Sequence, residues 1–219
     1  DHQGSLRYHD DVKDINMSSG KWLVLTRTRY MLEDIEDEMR ERGWYFENRF
    51  KKMPEKDAAE AALEWESARK GQPLNYKQIE RLYSYMSPAH VDKNFLKGLA
   101  QEGFYSLADT GIKTDAVWYE AFDNLDFRRK SYIRSMRRNG ENLNDKPRIK
   151  LSTIHSVKGG EEDNVVLLTD LTTNTNRSYL KQPDDETRLF YVGATRTKEN
   201  LHIIRPKDYD KSFPMEDYE

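Results

Sequence analysis

The chain has 219 residues, no cysteine, and 36 Lys plus Arg against 39 Asp plus Glu, a formal net charge of −3. The lack of cysteine excludes a disulfide framework, a thiolate metal site and a cysteine nucleophile, and near-balanced charge argues against holding nucleic acid by net charge alone, though not against a local basic groove. No apolar run approaches the ~20 residues that span a bilayer, and the start, Asp1-His2-Gln3-Gly4, has no signal-peptide pattern, so the sequence reads as soluble and cytoplasmic.

In chain order, Trp22-Leu23-Val24-Leu25 is the first short apolar run, the pattern of a strand buried on both faces. Met31, Ile35 and Met39 then recur every four residues, which puts them on one helical face, and Gly43 follows as a C-terminal cap. Strand, loop, helix opens a βαβ unit. From about residue 50 to 147 the composition changes to Lys, Glu, Arg, Tyr and Trp with few β-branched runs. Ala58 to Trp65 is strongly helix-forming, and Leu74-Asn75-Tyr76 and Met86-Ser87-Pro88 mark helix boundaries. This stretch reads as a helical insertion, with Trp65, Tyr83, Tyr85, Trp118, Tyr119 and Phe122 as its core. The α/β pattern resumes with Ile149 and Leu151, then the apolar run Val165-Val166-Leu167-Leu168. A helix begins near Asp184 and Asp185, and Leu201-His202-Ile203-Ile204 is a closing strand. From Pro206 onward the chain is acidic and aperiodic, the pattern of a loose tail.

Several chemistries are missing. There is no Gly-x4-Gly-Lys-Ser/Thr loop to cradle phosphates, since Thr110-Gly111-Ile112-Lys113-Thr114 has the wrong spacing, and His2, His9, His90, His155 and His202 show no metal-ligand spacing. The loop Thr153-Ile154-His155-Ser156-Val157-Lys158-Gly159-Gly160-Glu161 is more informative. Hydroxyls, an imidazole and paired glycines suit phosphate oxygens. They equally suit a polar turn in which Gly159 and Gly160 supply positive φ. Arg196, after Gly193-Ala194-Thr195, projects a planar fork toward a phosphate or caps the carbonyls of a helix end. In the insertion, Arg128, Arg129, Lys130, Arg134, Arg137 and Arg138 lie among Phe127 and Tyr132, which fits either nucleic-acid contact or a solvated face.

Taken together and in order, Leu25-Thr26-Arg27-Thr28, then Ser152 through Glu161, then Glu186-Thr187-Arg188-Leu189-Phe190-Tyr191-Val192-Gly193-Ala194-Thr195-Arg196 resemble motifs IV, V and VI of the UvrD/Rep-like superfamily 1 DNA helicases. The resemblance implies an α/β, RecA-like parallel sheet of the P-loop-NTPase type without its own P-loop. This second RecA-like domain takes residues 1–48 and 148–206, is split by the helical insertion at 49–147, and is followed by the acidic tail at 207–219. It also implies that ATP, with Mg²⁺, lies between two RecA-like domains. Arg196 then corresponds to the arginine finger and Arg27 to a second γ-phosphate contact. Glu161 corresponds to the acid on the nucleotide ribose, with Gly159 beside it. Thr153, His155, Ser156 and Lys158 lie near the single-stranded DNA backbone. Two positions depart from the family pattern: Thr26 stands where an aromatic usually stacks on adenine, and Gly160 replaces a Leu.

The missing P-loop then has an explanation. The expectation is the C-terminal portion of a longer ATP-dependent helicase that translocates 3′ to 5′ on single-stranded or duplex-junction DNA. Its first RecA-like domain is the partner that holds most of the ATP and Mg²⁺, so this portion alone is inactive. The rival reading is a non-catalytic, helicase-like module that binds DNA or protein.

Overall fold

The computed structural model describes residues 4–143, 145–157 and 160–215. The strands and α-helices run in the order β1 (Ser5–His9), β2 (Trp22–Thr26), α1 (Leu32–Arg42), β3 (Phe46–Asn48), α2 (Pro54–Ala68), β4 (Leu74–Asn75), α3 (Tyr76–Tyr85), α4 (Lys93–Gly98), β5 (Phe104–Tyr105), α5 (Trp118–Ala121) and α6 (Phe127–Arg138). They continue with β6 (Ile149–Thr153), β7 (Glu162–Leu168), α7 (Thr173–Lys181), α8 (Pro183–Ala194) and β8 (Thr197–Ile204). The chain divides into two compact units, Asp1–Lys52 with Arg138–Glu219, and Met53–Arg137; the sequence had placed these divisions at 48/49 and 147/148.

The first unit is built on one six-stranded sheet of order β1-β8-β7-β2-β6-β3, with every neighbouring pair parallel. All five residues of β2 are buried, because a central parallel strand is covered on both faces. α1 buries Leu32, Ile35 and Met39, and Gly43 ends it in the left-handed region at φ 67°, which glycine enters without a Cβ penalty. On one face of the sheet, Leu23, Leu25, Val165, Leu167 and Ile203 pack against Ile154 and Phe190. At the β1–β8 edge, His9 Nε2 meets His202 Nδ1 at 2.9 Å, and Trp22 packs on His202 at 5.2 Å between ring centroids.

The loose tail expected from Pro206 is corrected as far as Met215. Phe213 stacks on Phe190 with ring centroids 4.2 Å apart. The Leu171 amide donates to the Lys211 carbonyl at 2.8 Å, and the Phe213 amide donates to the Thr169 carbonyl at 2.9 Å. One aromatic inside an acidic stretch is enough to fold it back onto the core, since burying a ring outweighs ordering a few residues.

In the second unit, α2 buries Ala58, Ala59, Ala61, Ala62 and Trp65, and the Trp65 indole donates to the Ala116 carbonyl at 2.9 Å. Asn75 caps α3 in a reciprocal box with Gln78, as the boundary signal at 74–76 suggests. Trp65, Tyr83, Trp118 and Phe122 are core, but Tyr119 is not: it is 40% exposed and Arg134 lies over its ring at 5.3 Å. Among the described residues no helix is long and apolar enough to cross a membrane.

Candidate functional site

Strand register builds the site. Thr26 pairs with Thr153 at the ends of the neighbouring parallel strands β2 and β6, the edge at which open α/β sheets gather ligands. Arg27 leaves β2 just as the chain from β6 enters a short 3-10 turn, Ile154–Ser156. The register therefore places Arg27 beside His155. Thr153 is buried as the last residue of β6, and its hydroxyl donates to Ser156 Oγ at 3.2 Å.

α8 packs across this turn. Its buried face is Glu186, Phe190 and Gly193, spaced i, i+4, i+7. Gly193 is where helix and turn come closest: a Cβ there would lie 3.2 Å from Leu167 Cδ1 and 3.3 Å from Ile154 Cγ2. Glu186, on the same face, is met by Arg27. Arg27 Nε donates to Glu186 Oε2 at 2.8 Å and Nη2 to Oε1 at 2.6 Å, with the two side chains 16% and 6% exposed. A buried carboxylate needs such a partner. Arg27 Nη1 lies 3.4 Å from His155 Nδ1. Burial, and second to it the Arg27 charge, push His155 below the usual imidazole value, with Glu186 acting against them.

Arg196 follows the other end of α8. Its Nε donates to the Val192 carbonyl at 3.1 Å, and its Nη1 sits 3.8 Å from Glu161 Oε1. The Glu162 amide donates to the Arg196 carbonyl at 3.1 Å, which joins the start of β7 to the end of α8. Arg196 is thus a carbonyl cap whose Nη1 faces Glu161 while its Nη2 donates to Thr195 Oγ1 at 3.4 Å.

The expected site residues therefore fall into three groups: Arg27 with His155, Thr153 with Ser156, and Arg196 with Glu161. Lys158 and Gly159 lie outside the described residues. The Gly160 amide closes a turn onto the Val157 carbonyl at 2.8 Å. Arg27 and Arg196, expected at one phosphate, attach to opposite ends of α8. Arg27 is fastened to Glu186 in the first turns of α8, and roughly 12 Å of helix separates Glu186 from Ala194. The residue missed from sequence is Glu186, hidden in the run Asp184-Asp185-Glu186 that reads as helix-starting charge. Its signal was position, because an acid at i of a buried i, i+4, i+7 face requires a cation.

In the second unit, α6 buries Tyr132, Ile133 and Met136 and contains no acidic residue. Arg134 and Arg137 are exposed and Lys130 half-buried on the opposite face, beside Phe127, which is 82% exposed. Arg129 is paired with Asp126 at 3.3 Å. Among the described residues no group of three or more His, Asp or Glu side chains is placed to hold a metal ion.

A six-stranded parallel sheet flanked by helices, with arginines at a strand end and a helix end, defines the class as a RecA-like α/β domain. Comparison with protein families makes this specific. Residues 31–208 match the model of the UvrD-like helicase C-terminal domain, and the chain belongs to that family. Arg27 lies just before the matched span, whereas His155, Glu161, Glu186 and Arg196 lie within it. A search of curated proteins returned no significant match.

Proposed function

We propose that this chain forms one side of an ATP-hydrolysing, DNA-translocating helicase site, with Arg196 as the arginine finger. The observation that carries the reading is the tethering of the Arg196 guanidinium to the Val192 carbonyl, which fixes its direction while leaving Nη1 beside Glu161. A guanidinium with a fixed stem loses little entropy on meeting a phosphate. Glu161 is about half exposed and accepts hydrogen bonds, the chemistry a ribose hydroxyl asks for. The residues therefore fit a nucleotide edge, and the nucleotide with Mg²⁺ supplies the phosphoryl group that is transferred. The Walker loop that holds most of it belongs to a partner RecA-like domain. Tyr191 and Val192, exposed on α8 next to Arg196, give that domain an apolar surface to close on.

Thr153, His155 and Ser156 form the DNA side. Because Ser156 Oγ accepts from Thr153, its own O–H is left to donate to a backbone phosphate. The outward face of α6 adds a second, less specific contact through Lys130, Arg134 and Arg137, with the exposed Phe127 available for stacking.

Replacing Arg196 by Ala in the protein together with its Walker-bearing domain is expected to lower DNA-stimulated ATP hydrolysis by ~10³–10⁵-fold with DNA affinity almost unchanged. An unchanged turnover rate would remove Arg196 from the phosphate. The chain alone is expected to hydrolyse no ATP; robust turnover by it would contradict the division of labour.

A further inference from the structure

Arg27 carries five N–H donors and no acceptor. Its Nε and Nη2 are engaged by the Glu186 carboxylate at 2.8 and 2.6 Å. Its Nη1 faces Nδ1 of His155 at 3.4 Å. A guanidinium can only donate, so the imidazole nitrogen that faces it must present a lone pair. In a neutral ring the one proton then sits on Nε2. A doubly protonated ring would set N–H against N–H and cation against cation. Among the described residues, the charged groups that face His155 are Arg27 from the end of β2 and Glu186 from α8.

The clamp is well built. Both members of the ion pair are largely buried, while His155 itself is exposed. Glu186 holds Arg27 through two of its donors, which fixes the plane of the guanidinium and the direction of Nη1. The imidazole at the surface is thereby set from beneath.

We infer that Arg27, clamped by Glu186, is a positioning residue that fixes His155 as the neutral tautomer with Nδ1 as acceptor and Nε2–H as donor. The turn after β6 then offers its ligand a directional hydrogen bond without a positive charge. The ligand chemistry this suits is a phosphate oxygen of a nucleic-acid backbone, and that consequence rests on the proposed DNA role of the turn. A neutral donor adds direction without adding to the salt dependence of binding, which counts charges. The clamp also ties His155 to α8, the helix that ends at Arg196. It gives Arg27 a task different from a γ-phosphate contact.

Long-range ¹H–¹⁵N NMR of the histidine rings of this chain, followed across its titration, tests the inference without nucleotide or DNA. In the native chain, His155 is expected to show an unprotonated Nδ1, a protonated Nε2 and a midpoint below that of an ordinary histidine. Arg27→Met removes the guanidinium and leaves the Glu186 carboxylate facing the ring. The midpoint is then expected to rise, since the Arg27 charge no longer lowers it, and the tautomer balance to move toward Nδ1–H. A native ring protonated on Nδ1, or an Arg27→Met ring with unchanged tautomer and midpoint, overturns the inference. Should Arg27→Met fail to fold, the double variant Arg27→Met/Glu186→Gln removes both charges. A tautomer balance and midpoint there equal to those of an unconstrained histidine support the inference, and the native values persisting contradict it. The DNA consequence is read separately by adding single-stranded oligonucleotide to the native chain. Unmoved His155 resonances would sink the DNA role of the turn and leave the clamp standing.

Discussion

The sheet-bearing unit and helix α6 use arginine in opposite ways. In the sheet unit, three guanidinium groups are fastened. Arg27 is held by Glu186, Arg148 donates to Glu141 and to the Met17 carbonyl, and Arg196 donates to the Val192 carbonyl. On α6, a helix without a single acid, Lys130, Arg134 and Arg137 stand on the outward face with no carboxylate of their own helix to hold them, Arg134 lying over the Tyr119 ring. Fastened cations provide direction, which phosphoryl transfer and tautomer control need. Unfastened ones provide field, which tracks a polyanion and tolerates any sequence. A net charge of −3 hides both, because it averages placed charges with an acidic remainder.

Several measurements break or sharpen this contrast. The largest stability effect is expected at the fastened pair. Arg27→Met leaves the Glu186 charge buried and unpaired and should cost ~3–5 kcal/mol. Adding Glu186→Gln should recover at least half of that, as read by chemical denaturation. Recovery would place the cost in the orphaned charge rather than in poorer packing.

A similar loss is expected in the apolar core that supports α8. Phe190 is fully buried, and Phe190→Ala should cost ~3–5 kcal/mol; Phe213→Ala, at the rim of the same stack, about 3 kcal/mol. A negligible effect of Phe213→Ala would restore the loose-tail reading of the C-terminal segment.

Acid provides the next effect. Burial first, then His9, then Arg7 push His202 down to about 4 from an unfolded value of 6.5. Between those values the unfolded chain binds a proton that the folded chain refuses. Stability is therefore full above about pH 6.5 and falls as pH drops toward 4, by about 3 kcal/mol over the whole window. Urea midpoints across that range should decline for the native chain and flatten for His202→Gln; equal slopes would exclude the histidine pair as the cause.

The smallest stability effect belongs to α6. Exchanging Lys130, Arg134 and Arg137 for Gln should leave stability within roughly 0.5 kcal/mol. It should also reduce the salt dependence of DNA binding by about one power of salt for each phosphate no longer neutralised. A salt slope identical to that of the native chain would return this face to solvent.

How far the sequence reveals this molecule depends on where a residue finds its partner. β2, β7 and α1 were legible because their signal is local: an unbroken apolar run, or Met31, Ile35 and Met39 followed by Gly43. β1 was not, since the edge strand Ser5–His9 leaves Leu6 exposed and shows no apolar run. α7 was missed because its sequence is polar and its start rests on the Thr172–Thr175 capping box. In the site, the motif segments around His155, Glu161 and Arg196 were legible as strings. The Arg27–Glu186 bond joins residues 159 positions apart, and no local pattern announces it. That bond fastens Arg27, which the family resemblance had assigned to a phosphate, to the first turns of α8.

The contrast is tested most directly by measuring, in one preparation that includes the Walker-bearing domain, ATP turnover and DNA affinity for Arg196→Ala and for the Lys130/Arg134/Arg137→Gln variant. The account expects opposite losses. Arg196→Ala should abolish turnover and keep DNA binding, and the α6 variant should weaken DNA binding while keeping turnover at saturating DNA. If both variants lose the same property, the fastened and unfastened cations do not divide the work, and the account is wrong.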